Sequence, residues 1–363
     1  MKKITVCVLF GGCGAEHEVS LRSAAAVLSH IDRGEYDVVS VGITKKGRWL
    51  LYRGKTEKIP DGSWEMEQNV PVCLDLAGGG LVTLEGEKKY IGVDLCFPVL
   101  HGDYGEDGRL QGLLDIAGIR YVGCDAFASH LCMDKWLTKM IAEKTGVPVA
   151  KGMTVSRSCL DGAKHKLFGR ADVEQGIGEV EKGVRSGEFC YPVFVKPCMG
   201  GSSAGVKKAK NERELICGLE GALDLCPVAL VEEYIDGFEV EVGVMEACGT
   251  LDVSSVGMIR YKGEFYDYDT KYGQADNEYI IPAPIGREQT EKIRDYAKRL
   301  FVALGCRGLG RFDFFVKKDG GVIFNEVNTM PGFTSISMFP KLFMHGGMSF
   351  DKIIDRLIQG AME

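Results

Sequence analysis

One stretch near the C-terminus, GRFDFFVKKDGGVIFNEVNTMPG from Gly310 to Gly332, constrains this chain more than any other. An apolar run, an Asp319-Gly320 dipeptide and a second apolar run read as a β-hairpin. A two-residue turn there pairs residues whose numbers sum to 639, which sets Asp313 opposite Glu326 and Arg311 opposite Asn328. Residues two apart on a strand share a face, so the four side chains project together. Facing carboxylates repel unless a cation lies between them. Oxygen donors so arranged suit Mg²⁺, a hard cation that also holds nucleotide phosphates. A bulge at the turn would shift the pairing by one, and a solvated face with ordinary charges is the alternative reading. The NTMPG that follows adds a Pro-Gly turn whose N–H groups can stabilise developing negative charge.

Length and composition narrow the class. The 363 residues suffice for two or three domains with substantial cores, and 45% hydrophobic with 26% charged residues is ordinary for a soluble enzyme. A net charge of -7 argues against general binding of nucleic acid or acidic membrane. No apolar run reaches the length of a membrane span. The run from Ile4 to Phe10 is short for the core of a secretory signal and lacks a clear cleavage site; it fits a buried parallel strand better. The 13 cysteines contain no CxxC pair, so they read as reduced thiols of a cytoplasmic protein rather than a zinc or dithiol site.

Strand and helix patterns alternate from residue 4 onward. ITVCVLF, YDVVSVGIT and DLCFPVL read as strands, SLRSAAAVLSHI and GRLQGLLDIAG as helices. This is βαβ grammar and predicts a mostly parallel sheet with covering helices in a first domain ending near Gly123. Then come a helix from Lys135 to Gly146, the strands YPVFVKP, AGVKKA and VALVEEYI, and the helix NERELICGLEGAL. Asn211 and Glu214 form a capping box before that helix. A third region begins near Gly237 and ends in a helix at Phe350–Ile358. The stretch from Leu160 to Glu188 is expected to be a polar, irregular surface excursion.

Four segments carry chemistry. KPCMGGSSAG, from Lys196 to Gly205, puts a lysine before a Gly/Ser loop that could cradle phosphate, or could equally be a mobile surface loop. It is neither a Walker A motif nor a dinucleotide fingerprint. GGCGAEHEVSL follows the first strand, and its Glu16 either complements a helix dipole or holds a substrate ammonium. HGDYGEDGRLQG sets His101 at a strand end, where a lone histidine is more often structural, and its EDG suits simple N-capping. EFYDYDTKYG, with Lys271 and Tyr272 at its tip, suits either a packed surface loop or a lid that excludes water.

In this order the runs GGCGAEHEVSLRS, HGDYGEDGRLQG, MDKWLTK, VKPCMGGSSAGV, YDYDTKY, GRFDFF and NEVNTMPGFTSISMFP resemble the D-alanine–D-alanine ligases of the ATP-grasp superfamily. The resemblance covers nearly the whole chain. It implies a three-domain α/β ATP-grasp fold: an N-terminal Rossmann-like parallel-sheet domain over 1–123, a central ATP-grasp subdomain over 124–236, and a C-terminal subdomain with metal site and lid over 237–363. It also implies ATP, two Mg²⁺ ions for which Mn²⁺ can substitute, D-alanine as substrate, a homodimer, and no nucleic-acid or membrane partner. Lys135 and Lys196 would contact ATP phosphates, Glu232 the adenine and Glu239 the ribose. Asp313, Glu326 and Asn328 would hold the metals. Glu16 would hold the first ammonium, within a set formed with Ser202 and Tyr272. His101 would lie beside the first D-alanine, and Lys271 would reach the transferring phosphate. Arg311 and Gly332 would stabilise the oxyanion; Ser337 and Met338 would receive the second carboxylate.

Rivals keep parts of this pattern. A D-alanine–D-serine ligase commonly resembles SRYP where this chain has Ser337-Met338-Phe339-Pro340, and D-lactate types carry a different lid from YDYDTKY. A glutathione-synthetase-like enzyme would keep the hairpin but not EHEVSL. A non-catalytic nucleotide-binding regulator would be expected to have lost one of Lys196, Arg311, Asp313, Glu326 or Asn328.

Overall fold

The computed structural model describes residues 3–156, 173–186, 190–260 and 277–363. The first sheet contains β1 (Ile4–Gly11), β2 (Tyr36–Ile43), β3 (Trp49–Tyr52), β4 (Val70–Asp75), β5 (Gly80–Thr83), β6 (Tyr90–Gly92), β7 (Leu95–Val99) and β8 (Arg120–Tyr121). Its order is β6-β5-β4-β3-β2-β1-β7-β8. The helices α1 (His17–His30) and α2 (Arg109–Ile116) follow β1 and β7. Pairing is parallel from β2 through β1 and β7 to β8, which is the expected βαβ core. From β2 outward to β6 it is antiparallel, so the parallel part is only half of the sheet. Short connections permit only antiparallel neighbours. The strands β3 to β6 are three to six residues long and carry little periodic signal.

Next come α3 (Ala126–Met133), α4 (Lys135–Lys144), β9 (Gly152–Ser156), α5 (Val173–Ser186), β10 (Val193–Pro197), β11 (Lys207–Ala209), α6 (Glu212–Leu225) and β12 (Val228–Glu233). The strands form an antiparallel sheet in the order β11-β10-β12-β9. Asn211 Oδ1 accepts from the Glu214 N–H at 3.0 Å, while Glu214 returns to the Lys210 N–H at 2.9 Å, one residue earlier than a standard box. The expected irregular excursion is corrected over 173–186, where α5 runs. Ile177, Val180 and Val184 recur at helical spacing and pack with the sheet's core. The rest of that excursion lies outside the described residues.

The third sheet holds β13 (Gly237–Ala247), β14 (Thr250–Arg260), β15 (Glu278–Ile280), β16 (Leu309–Lys317) and β17 (Val322–Asn328), ordered β15-β14-β13-β16-β17. The helices α7 (Arg287–Ala303), α8 (Met338–His345) and α9 (Phe350–Met362) complete the chain. α9 returns to the first sheet: Ile353, Ile354, Leu357 and Ile358 share a buried cluster with Val6, Phe97 and Leu28.

The β16–β17 hairpin reaches the expected pairing by a different route. Its loop is not a two-residue turn: the Gly320 N–H donates to Lys317 O at 2.9 Å and the Lys317 N–H to Gly321 O at 2.8 Å. Gly320, at φ +85°, takes the left-handed position this longer loop needs. Val316 therefore faces Val322 and Phe314 faces Phe324, one residue off the expected register. A second irregularity between Asp313 and Phe314 leaves Asn325 as the extra residue. The two shifts cancel, so Asp313 does face Glu326 and Arg311 does face Asn328.

Candidate active site

Two clefts meet at the loop after β10. The first, of about 390 Å³, is lined by Lys135, Lys196, Glu232, Glu239, Asn325 and Glu326 among others. The second, of about 370 Å³, includes Glu16, His101, Glu106, Arg311, Asn328 and Gly332. Ser202 lines both.

In the first cleft one buried carboxylate, Glu232, anchors Lys196. Lys196 projects from β10, and its Nζ lies 2.8 Å from Glu232 Oε2. The other oxygen of Glu232 lies 2.7 Å from Lys139 Nζ on α4. Burial alone would raise the Glu232 carboxyl, but the two lysines overcome it and hold it at about 2. Asn325, the bulge residue, donates from Nδ2 to Glu239 Oε1 at 2.7 Å, and its Oδ1 accepts from Lys196 at 3.4 Å. Lys135, at the start of α4, donates to Gly200 O at 2.6 Å and stands 4.0 Å from Glu326 Oε2.

The Gly/Ser loop connects the clefts. Ser202 and Ser203 have φ of +52° and +57°, a strained pair of non-glycine residues of the kind that clusters at functional sites. That turn lets Ser202 Oγ donate to Glu16 Oε1 at 2.5 Å. Glu16 holds the N-cap position of α1 but makes no side-chain cap bond there.

Main-chain groups shape the second cleft. His101 Nδ1 lies 2.8 Å from Met330 O, and a carbonyl can only accept, so Nδ1 carries the proton. In the neutral ring, Nε2 then accepts from Ser23 Oγ at 3.0 Å, while Ser23 Oγ accepts from the Phe333 N–H at 3.2 Å. Burial lowers the His101 pKa and favours this neutral form, against the pull of Glu16. Glu106 accepts from the Gly102 and Met330 N–H groups, each at 2.8 Å. Burial, with the charge of Glu16 adding to it, pushes its carboxyl up to about 7. The N-cap of α2 is Gly108, without a side-chain cap; Asp107, one residue earlier, accepts from the Arg109 N–H at 3.1 Å, while Glu106 makes no such bond to the helix.

Arg311 is more deeply engaged than the sequence implied. Its Nε and Nη2 donate to the two oxygens of Asp313, each at 2.8 Å, and Nε lies 3.0 Å from Glu241 Oε2. Asn328 Nδ2 donates to Asp313 Oδ2 at 3.0 Å. Glu241 faces Asp313 across β13–β16, so Glu241, Asp313 and Glu326 stand abreast on three strands. Burial opposes the charge on Arg311, but Asp313 and Glu241 raise its pKa well above the usual arginine value. Asp313 lies behind this guanidinium and lines neither cleft. Asp313, Glu326 and Asn328 carry hard oxygen donors of the type Mg²⁺ takes. Both Asp313 oxygens are bonded to Arg311 here, and Oδ2 also to the Asn328 amide, so a metal at this set requires Asp313 to give up those bonds.

At the remaining positions, a Cβ on Gly332 would lie 2.6 Å from Ser337 Oγ, so a larger residue there would push that hydroxyl aside. Ser337 Oγ accepts from the Thr334 N–H at 3.0 Å and precedes α8. Met338 is the first residue of α8, and its side chain is buried against Gly257 of β14, leaving the helix N-terminus as the polar feature there. Lys271 and Tyr272 lie outside the described residues. Sequence reading missed Lys139, Glu106, Glu241 and Asn325. The alternation in FEVEV, which puts Glu239 and Glu241 on one face, was an available signal for Glu241.

Comparison with known proteins is consistent along the chain. Family models described as D-ala D-ala ligase N-terminus and C-terminus match residues 5–124 and 155–359. The D-alanine–D-alanine ligase of Caldicellulosiruptor bescii is 41% identical over 100% of this chain and 96% of its own length. That of Acetivibrio thermocellus is 43% identical over 99% and 96%. Among solved structures, the VanG D-Ala:D-Ser ligase of Enterococcus faecalis superposes with a TM-score of 0.87 at 37% identity, covering 99% of this chain and 100% of that one. The D-alanine–D-alanine ligase of Coxiella burnetii gives 0.81 at 29% identity, over 99% and 95%. The fold is thus ATP-grasp, and the class is the ATP-dependent ligases. The chain belongs to the D-alanine–D-alanine ligase family.

Proposed function

We propose that this enzyme joins two D-alanines into D-alanyl-D-alanine for peptidoglycan, using ATP to activate the first carboxylate as an acyl phosphate. The observation that carries the reading is the 2.5 Å bond from Ser202 to Glu16, which ties the loop of the phosphate-side cleft to the ammonium side of the other. In this reading Lys135 and Lys196 hold the ATP phosphates, with Glu232 toward the adenine and Glu239 toward the ribose. Glu16 holds the first D-alanine ammonium, with His101 beside it. Asp313, Glu326 and Asn328 hold two Mg²⁺ ions, or Mn²⁺ in their place, which supply charge neutralisation at the transferring phosphate. Arg311 and the Gly332 N–H stabilise the tetrahedral oxyanion. The second carboxylate sits at Ser337 and the N-terminus of α8. Lys271 and Tyr272 lie outside the described residues; the resemblance assigns Lys271 to the transferring phosphate and Tyr272 to the set with Glu16 and Ser202.

The divisions at 123 and 236 follow the passages between sheets and are proposed as domain boundaries. We assign the protein to the cytoplasm; no helix among the described residues is long and apolar enough to cross a membrane. A homodimer is proposed, with the exposed apolar residues Leu113, Ile116 and Phe127 of α2 and α3 as its first candidates for burial.

The test is ADP release with ATP, Mg²⁺ and D-alanine alone, then with added D-serine or D-lactate, the products being identified by mass. Dominant D-alanyl-D-alanine is expected. The likeness to VanG keeps D-alanine–D-serine ligation as a second reading, which a dominant mixed product would establish. No turnover with any mixture overturns both.

A further inference from the structure

Lys139 ends the MDKWLTK run but lines neither cleft. It sits one helical turn beyond Lys135 on α4, buried at 3% exposure, with its Nζ 2.7 Å from Glu232 Oε1. A lysine in that position cannot serve as a direct ligand group, and a buried cation is costly unless it does something for its partner. Its partner is the carboxylate that also holds Lys196, at 2.8 Å through the other oxygen.

The charge arithmetic of this trio gives it a direction. Lys196 and Glu232 alone would make a neutral buried pair. An anion drawing Lys196 away would then leave Glu232 buried without compensation, which is among the more expensive ways to break such a pair. With Lys139 on the far oxygen, Glu232 keeps a cation when Lys196 turns outward. The trio carries one surplus positive charge, and of its two lysines only Lys196 faces the cleft. The Asn325 amide, 3.4 Å from Lys196, adds only a weak second tether.

We infer that Lys139 is a positioning residue: by pairing with Glu232 from behind, it leaves Lys196 available to a nucleotide phosphate. The inference rests on the reading of the first cleft as the ATP site. It predicts an effect on ATP alone, transmitted only through the charge of Glu232.

The experiment compares steady-state kinetics of the full-length enzyme with Lys139→Met, Glu232→Gln and the double variant. Lys139→Met is expected to raise KM for ATP by about tenfold or more while KM for D-alanine stays within about twofold. The double variant is expected to match Glu232→Gln in KM for ATP, because with no carboxylate left Lys139 has no charge to compensate. An unchanged KM for ATP beside a lower melting temperature, or equal rises in both KM values, overturns the inference and makes Lys139 a packing residue. Should Lys139→Met fail to fold, the double variant is set against Glu232→Gln. Equal KM for ATP is expected there, and a further loss on removing Lys139 overturns the inference. Wild-type enzyme that fails to bind ATP overturns the nucleotide reading itself, and shows this before any variant is made.

Discussion

The two clefts are similar in size but are held open by different means. In the first, side-chain charges hold one another: Lys139, Glu232, Lys196, Asn325 and Glu239 form a chain of contacts across α4, β10, β12, β13 and β17. In the second, an Arg311–Glu241 ion pair is present too, but much of the holding is done by main-chain groups from distant segments. The Met330 carbonyl binds His101, the Met330 and Gly102 N–H groups bind Glu106, and the Phe333 N–H binds Ser23. Substitutions in a charge-set cleft should act through electrostatics. Those in a loop-set cleft should act through geometry, and on one substrate at a time.

The sharpest attack on that contrast falls at the boundary. Glu326 faces the first cleft and stands abreast of Asp313, whose partner Arg311 lines the second. Glu326→Gln preserves size and removes only charge. We expect turnover to fall on the order of 10³-fold or more, with the loss concentrated in kcat, because the stabilised charge develops during transfer. Near-normal Mg²⁺-dependent turnover would remove the proposed metal set and leave the first cleft as a mere pocket.

Next in size is a pH effect confined to the loop-set side. Glu106 is partly buried, and desolvation raises its carboxyl from 4.5 to about 7. A carboxyl with a raised folded-state pKa favours folding below its unfolded value. That contribution is lost as pH rises through the folded one. The stability advantage of wild type over Glu106→Gln should therefore shrink between pH 4.5 and 7, by up to about 3 kcal/mol, and then level off. Denaturant melts at a series of pH values would read this. A difference that is flat across the window would mean that the two backbone N–H bonds keep Glu106 ionised throughout.

The same contrast governs what could be read in advance. The β-hairpin pairing was legible because strand alternation is local, although its two register shifts were not. Whether a turn takes two residues or three depends on how Lys317 and Gly321 meet, and the Asp-Gly dipeptide alone does not decide that. Lys139 was hidden because nothing local distinguishes a buried lysine from an exposed one on an amphipathic helix. Glu106 was hidden by the simpler reading of EDG as a helix start: Asp107 does bond the first helical N–H, although Gly108 is the N-cap. The partners of Glu106 include Met330, 224 residues away, and no spacing rule reaches that far. α9 is a similar case: its apolar stripe showed a helix, but not that the stripe would pack against β1 and β7.

Ser202 offers a smaller test, since it belongs to both clefts. Its hydroxyl reaches the Glu16 carboxylate from a strained turn. Hydrogen bonds to charged groups contribute about 1.5–3 kcal/mol, so Ser202→Ala should lower kcat/KM for D-alanine by roughly 10- to 100-fold. Were KM for ATP to absorb the whole effect, the loop would belong to the phosphate side alone and the clefts would not be coupled through it.

Ser23→Ala should have the smallest effect and be the most discriminating. The hydroxyl does two jobs: it donates to His101 Nε2 and accepts from the Phe333 N–H. Its loss leaves a buried main-chain donor unpaired beside Gly332, the residue proposed to face the oxyanion, and it also frees one side of the His101 ring. Neither change alters the charge of any group in the first cleft. The expected result is a rise of about 5- to 10-fold in KM for D-alanine, on the scale of about 1 kcal/mol for a lost buried hydrogen bond, with KM for ATP unmoved. Histidine NMR gives an independent reading, because the Nδ1–H tautomer is held from two sides and should begin to exchange once Ser23 no longer donates. If KM for ATP rose in step, the loop-set cleft would be passing strain into the charge-set one. The two would then have to be treated as a single mechanical unit joined through the hairpin and the loop that follows it.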